Sequence, residues 1–194
     1  GCTSLRIVNI PANVTSIGQY AFRYAPLEEV NFAEGSQLTE LGDYSFYGSV
    51  LTEITLPEKL QVIGDYAFYG SNLESIVIPA GVTEIGSSAF QYCQSLTSIV
   101  FEDGSRLADF GNSACMGCTS LTEVDFGTRN TETRVPLAFD RQVFKYCTSL
   151  ESIVFPADTT EIGQRMFEGC AALKSITFGD EAPSMLQEIA LSAF

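Results

Sequence analysis

Apolar residues recur along the chain in three short phrases whose order never changes. The first opens on leucine and then alternates: LRIVNIP from Leu5, LEEVNF from Leu27, LTEITLP from Leu51, LESIVIP from Leu73, LTSIVF from Leu96, LTEVDF from Leu121, LESIVFP from Leu150 and LKSITF from Leu173. In LESIVIP, Ile76 and Ile78 share a side with Leu73 while Ser75 and Val77 take the other, the signature of a short strand. Pro11, Pro57, Pro79 and Pro156 stop the strand at the same place, because proline cannot donate to a ladder. The second phrase closes on Ala-Phe, as in VTSIGQYAF ending at Phe22 and VTEIGSSAF ending at Phe90. It predicts a tight turn or one short helical turn that packs Ile85, Ala89 and Phe90 inward. Gly18, Gly42, Gly64, Gly86, Gly111 and Gly163 follow its core residue and mark a backbone turn that tolerates no large side chain. A third phrase, such as QYCQSL or KYCTSL, leads into the next leucine.

The opening leucines are 22, 24, 22, 23, 25, 29 and 23 residues apart. A period of that size leaves room for one strand and one return segment. No single unit buries its own apolar face, so neighbours must stack. Parallel strands about 4.8 Å apart then form a ribbon on the order of 40 Å long for eight units.

The consensus, L-x-x-I-x-I-P followed by V-x-x-I-G-x-x-A-F-x-x-C, resembles the BspA-type (treponemal) leucine-rich repeat over essentially the whole chain. The resemblance implies an α/β fold: a right-handed solenoid with a curved parallel sheet of about eight short strands and short helical or irregular return segments. It also implies a bacterial, or sometimes protozoan, surface or secreted protein that contacts host or neighbouring-cell macromolecules. Two units depart from the pattern. Cys115 replaces the phenylalanine in the fifth, and the sixth is lengthened and lacks its glycine, reading FDRQVF from Phe139.

Five of the six cysteines, Cys2, Cys93, Cys118, Cys147 and Cys170, occupy one position of the repeat, where other units carry Ala25, Ser49 and Ser71. A position that accepts Ala, Ser and Cys is small and tightly packed. Stacked neighbours fall within disulfide range, so pairing of Cys118 with Cys147 or of Cys147 with Cys170 stays open, although parallel side-chain directions argue against it. Cys115-Met-Gly-Cys118 is a lone C-x-x-C without a partner pair and does not make a zinc site. Reduced core thiols are the expectation, with neither metal nor cofactor.

Charge and composition narrow the function. The chain holds 10 Lys+Arg against 24 Asp+Glu, a formal charge of −14, which disfavours nucleic acid as a partner. It contains no histidine, and neither a nucleophile–base pair nor a phosphate loop is recognisable, so an enzyme is not expected. Apolar runs fall well short of the roughly 20 residues that span a bilayer. The outward strand columns read Ile7, Glu29, Glu53, Ser75, Ser98, Glu123, Ser152, Ser175 and Asn9, Asn31, Thr55, Val77, Val100, Asp125, Val154, Thr177, a small, polar and partly acidic surface.

The tyrosines concentrate elsewhere. All eight flank the Ala-Phe pair, and seven lie in the first half of the chain. Tyr20, Tyr44 and Tyr66 form one column that switches to Ser88 and Ser113, with Tyr24, Tyr47 and Tyr69 beside it. Such a stripe either covers the edge of the stack or contacts a protein or glycan, since tyrosine supplies large contact area at low entropic cost. The insertion Gly127–Gln142 holds Arg129, Arg134 and Arg141, with Lys145 nearby, and reads as a surface loop or short hairpin that could also bind. Asn13-Val-Thr15 matches a glycosylation sequon, relevant only in a eukaryotic secretory setting.

Residues 1–194 read as one solenoid domain that begins and ends inside a repeat, an arrangement expected of a segment flanked by further repeats or caps. The expected role is a non-enzymatic, adhesion-type recognition module at the cell surface or in the secreted space, without membrane insertion of its own. The alternative is a spacer with no ligand.

Overall fold

The structure, a computed structural model, describes residues 2–130, 135–179 and 184–194. Alternation of burial defines its longer strands, numbered in chain order with the shorter ones: β1 (Ile7–Ile10), β3 (Glu29–Phe32), β6 (Ser75–Ile78), β8 (Ser98–Phe101), β10 (Glu123–Asp125), β12 (Ser152–Phe155) and β14 (Ser175–Phe178). In β6 the isoleucines are buried while Ser75 and Val77 are exposed, as the period of two requires. Between them lie two-residue strands: β2 (Ser16–Ile17), β4 (Glu40–Leu41), β5 (Val62–Ile63), β7 (Glu84–Ile85), β9 (Asp109–Phe110), β11 (Ala138–Phe139), β13 (Glu161–Ile162) and β15 (Glu188–Ile189). Each coil of the chain supplies one short strand, giving eight turns of a parallel β-solenoid.

Two ladders run along the stack. The longer strands pair in parallel as β1–β3, β6–β8–β10 and β12–β14, so Ile76 lies beside Ile99 and Val77 beside Val100. The short strands form a six-stranded ladder from β2 to β11 and a further pair, β13–β15. The third unit's opening phrase, 51–56, forms no strand. Ile54 and Leu56 are nonetheless buried there, and the Glu74 amide still donates to the Thr52 carbonyl at 2.9 Å. The interruption is therefore one of backbone pairing and not of core packing.

The return segments contain no helix among the described residues. Each is an irregular turn closed by i to i−3 hydrogen bonds, such as the Ala89 amide to the Gly86 carbonyl at 3.3 Å. Adjacent turns are also bonded to each other: the Phe46 amide donates to the Ala67 carbonyl, and that of Phe68 to the Ala89 carbonyl, both at 2.8 Å. The repeated glycine excludes a side chain as expected, but through close approach and not through left-handed turn geometry. None of Gly42, Gly64, Gly86, Gly111 and Gly163 has a left-handed backbone. A Cβ at Gly42 would stand 2.8 Å from the Ile17 carbonyl oxygen, and at Gly86 2.6 Å from the Asp65 nitrogen. Close approach of successive coils excludes the side chain.

A phenylalanine column fills the core. Phe22, Phe46, Phe68 and Phe90 stack at centroid spacings of 5.4, 5.4 and 5.5 Å. Cys115 breaks the column, and larger side chains appear around the gap: Phe110 and Phe139 take the slot that holds Ile63 and Ile85 in earlier coils. Phe110 lies 5.9 Å from Phe144, where the column resumes. Close-packed interiors demand such volume exchange.

The cysteine position serves a hydrogen bond as well as packing. The thiols of Cys93, Cys118 and Cys170 donate to the carbonyls of Phe68, Phe90 and Phe144 in the preceding coil at 3.0, 3.1 and 3.0 Å. Cys147 does the same to the Cys115 carbonyl at 3.2 Å. All six cysteines are free thiols: Cys93, Cys115, Cys118 and Cys147 are buried, Cys170 is half-buried, and Cys2 at the end of the stack is exposed.

Candidate interaction surface

Each return turn places two residues in the left-handed region of backbone space. The first, two before the phenylalanine slot, is Tyr20, Tyr44, Tyr66, Ser88, Ser113, Gln142, Arg165 and Ser192 in turn, with φ between 54° and 62°. The second, two after it, is Tyr24, Gly48, Gly70, Tyr92, Gly117, Tyr146 and Gly169. A non-glycine residue there carries a conformational cost of about 1 kcal/mol. Where tyrosine fills these positions its ring lies over the neighbouring coil, whereas Ser88 and Ser113 are buried.

At the second position the sequence follows a pairing rule. A Cβ on Gly48 would stand 2.8 Å from the Tyr24 ring and one on Gly117 2.5 Å from the Tyr92 ring, while on Gly169 it would overlap the Tyr146 ring. Each tyrosine thus lies across the glycine of the next coil. Gly70, which follows a glycine, has open space instead.

In the first four coils these geometries merge into one aromatic surface. Tyr20, Tyr44 and Tyr66 stack at 4.9 and 4.7 Å, and Tyr47 stacks on Tyr69 at 4.6 Å. The two columns touch through Tyr44–Tyr47 at 5.6 Å and Tyr66–Tyr69 at 5.7 Å. Tyr24 meets Tyr47 edge-on at 5.2 Å, and Tyr92 closes the far end against Tyr69 at 5.5 Å. Tyr20, Tyr24 and Tyr92 are 47%, 61% and 40% exposed, whereas the rings between them are half-buried. Burial, followed by the neighbouring tyrosines, raises the Tyr44 phenol above its ordinary value. Burial and the neighbouring Tyr24 push Tyr47 up to about 12, and burial also raises Tyr69.

Arg23 completes the surface. Its guanidinium carbon lies 5.4, 5.0, 5.8 and 5.3 Å from the ring centroids of Tyr20, Tyr24, Tyr44 and Tyr47, within cation–π range of all four. The six tyrosines expected from the sequence are brought together, and Tyr92 and Arg23 join them. Both could have been found by tabulating the columns on either side of the phenylalanine. Tyr146 stands apart, beside Lys145, whose Nζ pairs with Glu168 at 3.0 Å. That contact holds the Glu168 carboxyl below its ordinary value.

The basic insertion divides. Arg129 is a brace: its Nε pairs with Asp158 at 3.0 Å, and its terminal nitrogens donate to Ser105 Oγ at 3.3 Å and to the carbonyls of Leu107 at 2.5 Å and Val135 at 3.2 Å. It is committed to the chain's own coils. Arg134 lies outside the described residues. Arg141 is exposed on an open groove of about 420 Å³ shared with Asp109, Asp140, Glu161 and Gln164. Burial and the neighbouring Asp140 raise Asp109. No group of three potential ligands able to hold a metal ion occurs among the described residues. The described ends of the insertion run parallel to neighbouring coils through Ser105–Arg129 and Leu137–Thr159 bridges, so no hairpin forms there.

The repeat and its fold recur in known proteins. No curated protein matches the chain significantly. A leucine-rich repeat protein from Bacteroides ovatus superposes with a TM-score of 0.77 at 30% identity, over 97% of this chain and 46% of that one. A leucine-rich repeat protein from Eubacterium ventriosum superposes at 0.55 with 22% identity, over 98% of this chain and 61% of that one, a likeness of fold alone. The chain therefore spans between about half and three-fifths of the length of these two neighbours. A model of the BspA-type leucine-rich repeat region matches residues 1–37, 34–135 and 137–194 in six copies. With that repeat covering nearly every coil, the chain belongs to the BspA-type leucine-rich repeat family.

Proposed function

We propose that the chain is a non-enzymatic recognition module of a bacterial cell-surface or secreted protein, and that it contacts a macromolecule through the tyrosine surface of its first four coils. The observation that carries this reading is the concentration of seven mutually packed tyrosines and Arg23 on one side of one end of the stack. The exposed strand face carries no aromatic side chain and is small, partly acidic and broken by Ile7, Val77 and Val154. Stacking holds the rings still, so little side-chain entropy is lost when they are covered. Tyrosine and arginine are also the residues in which interface energy concentrates. Membership of the repeat family supports a binding role, and leucine-rich repeat solenoids are in general non-enzymatic. No helix among the described residues is long and apolar enough to cross a membrane.

The test is a binding screen against immobilised extracellular-matrix proteins and a glycan array, using wild type and two variants. Tyr44→Ser/Tyr66→Ser adopts the residue that later coils carry in that column, and Tyr20→Ser/Tyr24→Ser removes two exposed rings. Both should retain the wild-type circular dichroism and weaken binding by about tenfold or more. Undiminished binding by both folded variants removes the tyrosine surface as the site. Absence of any bound partner favours the spacer role.

A further inference from the structure

In a chain with 24 carboxylates, Arg6, Arg129, Lys145, Arg165 and Lys174 each pair with an Asp or Glu. Arg23 pairs with none: among the described residues no carboxylate or carbonyl accepts from its guanidinium. Lys59, Arg106 and Arg141 also lack an ion pair among the described residues, but Arg23 differs from them in lying over four aromatic rings. It is exposed, yet four tyrosine rings at 5.0 to 5.8 Å hold it in place. Asp43 and Asp65, which precede Tyr44 and Tyr66 in sequence, accept the Asp65 and Ser87 amides at 3.0 and 2.6 Å. The outcome is a positioned planar cation whose donors remain open, bordered by the exposed rings of Tyr20 and Tyr24.

From this we infer that the tyrosine surface takes a carboxylate-bearing sugar, a uronic or sialic acid within a glycan, with Arg23 receiving the carboxylate. The inference rests on the recognition reading above and names its ligand class. Three features favour it. A guanidinium offers two parallel N–H donors that match a carboxylate. The flanking ring faces and phenol hydroxyls suit the apolar face and hydroxyls of a pyranose. Charge selects sugar over acidic peptide: one open guanidinium on a chain of formal charge −14 balances a single carboxylate. A multiply acidic peptide would meet repulsion from Asp65, whose charge acts on Tyr44, and from the net charge of the chain.

The probes are a galacturonate oligosaccharide, a sialylated lactose and their carboxyl-reduced counterparts, measured by biolayer interferometry beside the matrix-protein panel. Wild type should bind at least one acidic sugar and bind its carboxyl-reduced form about tenfold more weakly. Arg23→Gln should lose the same factor while keeping the wild-type circular dichroism, and Arg23→Lys should recover part of it. Silence toward both acidic sugars overturns the inference, as does equal affinity for the reduced forms or for Arg23→Gln. A matrix protein bound through Tyr44 and Tyr66 but insensitive to Arg23→Gln also overturns it, and leaves the recognition reading standing. An acidic sugar bound equally by the tyrosine variants would sink both.

Discussion

At the scale of single residues, the pairing of tyrosine with the next coil's glycine is a constraint that can be tested directly. Gly117 has φ +75° and lies under the Tyr92 ring, so an alanine there meets both backbone strain and a side-chain clash. Gly117→Ala should cost about 2–4 kcal/mol in urea denaturation. In a Tyr92→Ala background the clash disappears, and the same change should cost only about 1 kcal/mol. Additive losses in that double-mutant cycle would disprove the pairing. The cysteines permit a second residue-level test. Burial raises the thiols of Cys115, Cys118 and Cys147 well above their ordinary value and pushes Cys93 and Cys170 to about 11. In the native protein near pH 8, Ellman's reagent should label the exposed Cys2 quickly and the buried thiols only on unfolding. Fast labelling of several thiols in the folded state would contradict the ladder.

At the scale of the coil, Arg129 ties the insertion to the coils on either side of it through Asp158, Ser105 and Leu107. Arg129→Gln leaves Asp158 without its ion-pair partner and should cost about 2–4 kcal/mol. A loss within experimental error would mean that the loop carries no structural load. This residue also shows where sequence reading stopped. The eight-fold phrase, the inward alternation, the stacking and the thiol position were all legible, because each is a periodicity of side-chain size. The brace was not, because a lone arginine in a non-repeating insertion has no column to be compared with. Nor was the conformation of the return turn. Tyr24 reads as one more tyrosine until its column, which continues Gly48, Gly70, Tyr92 and Gly117, shows that the backbone there is left-handed. The repeated glycine after the core residue pointed to a turn for the same reason: close approach of two coils leaves no mark that distinguishes it from conformational freedom.

For the whole molecule, stacking couples neighbours and sets the response to pH. Tyr44, Tyr47 and Tyr69 have raised values in the folded state, as do the buried thiols. The folded chain therefore holds protons that the unfolded chain releases. Their contribution is intact below about pH 8.5, where unfolded cysteine begins to ionise, and is lost as pH rises toward about 12. Thermal unfolding should move to lower temperature over that alkaline range, and absorbance at 295 nm should show Tyr47 still protonated above the ordinary tyrosine value. A melting temperature that stays flat from pH 8 to 11 would contradict the burial of these groups.

The surface account claims that one end of the stack meets a ligand and the other does not, and Tyr146 supplies a control within the same chain. The most direct measurement is the NMR spectrum of ring-¹³C-labelled tyrosines during titration with a ligand retained in the binding screen. The account predicts shifts at Tyr20, Tyr24, Tyr44, Tyr47, Tyr66, Tyr69 and Tyr92, with Tyr146 unmoved. Shifts centred on Tyr146, or no shift at the first four coils while the ligand is bound, would contradict it.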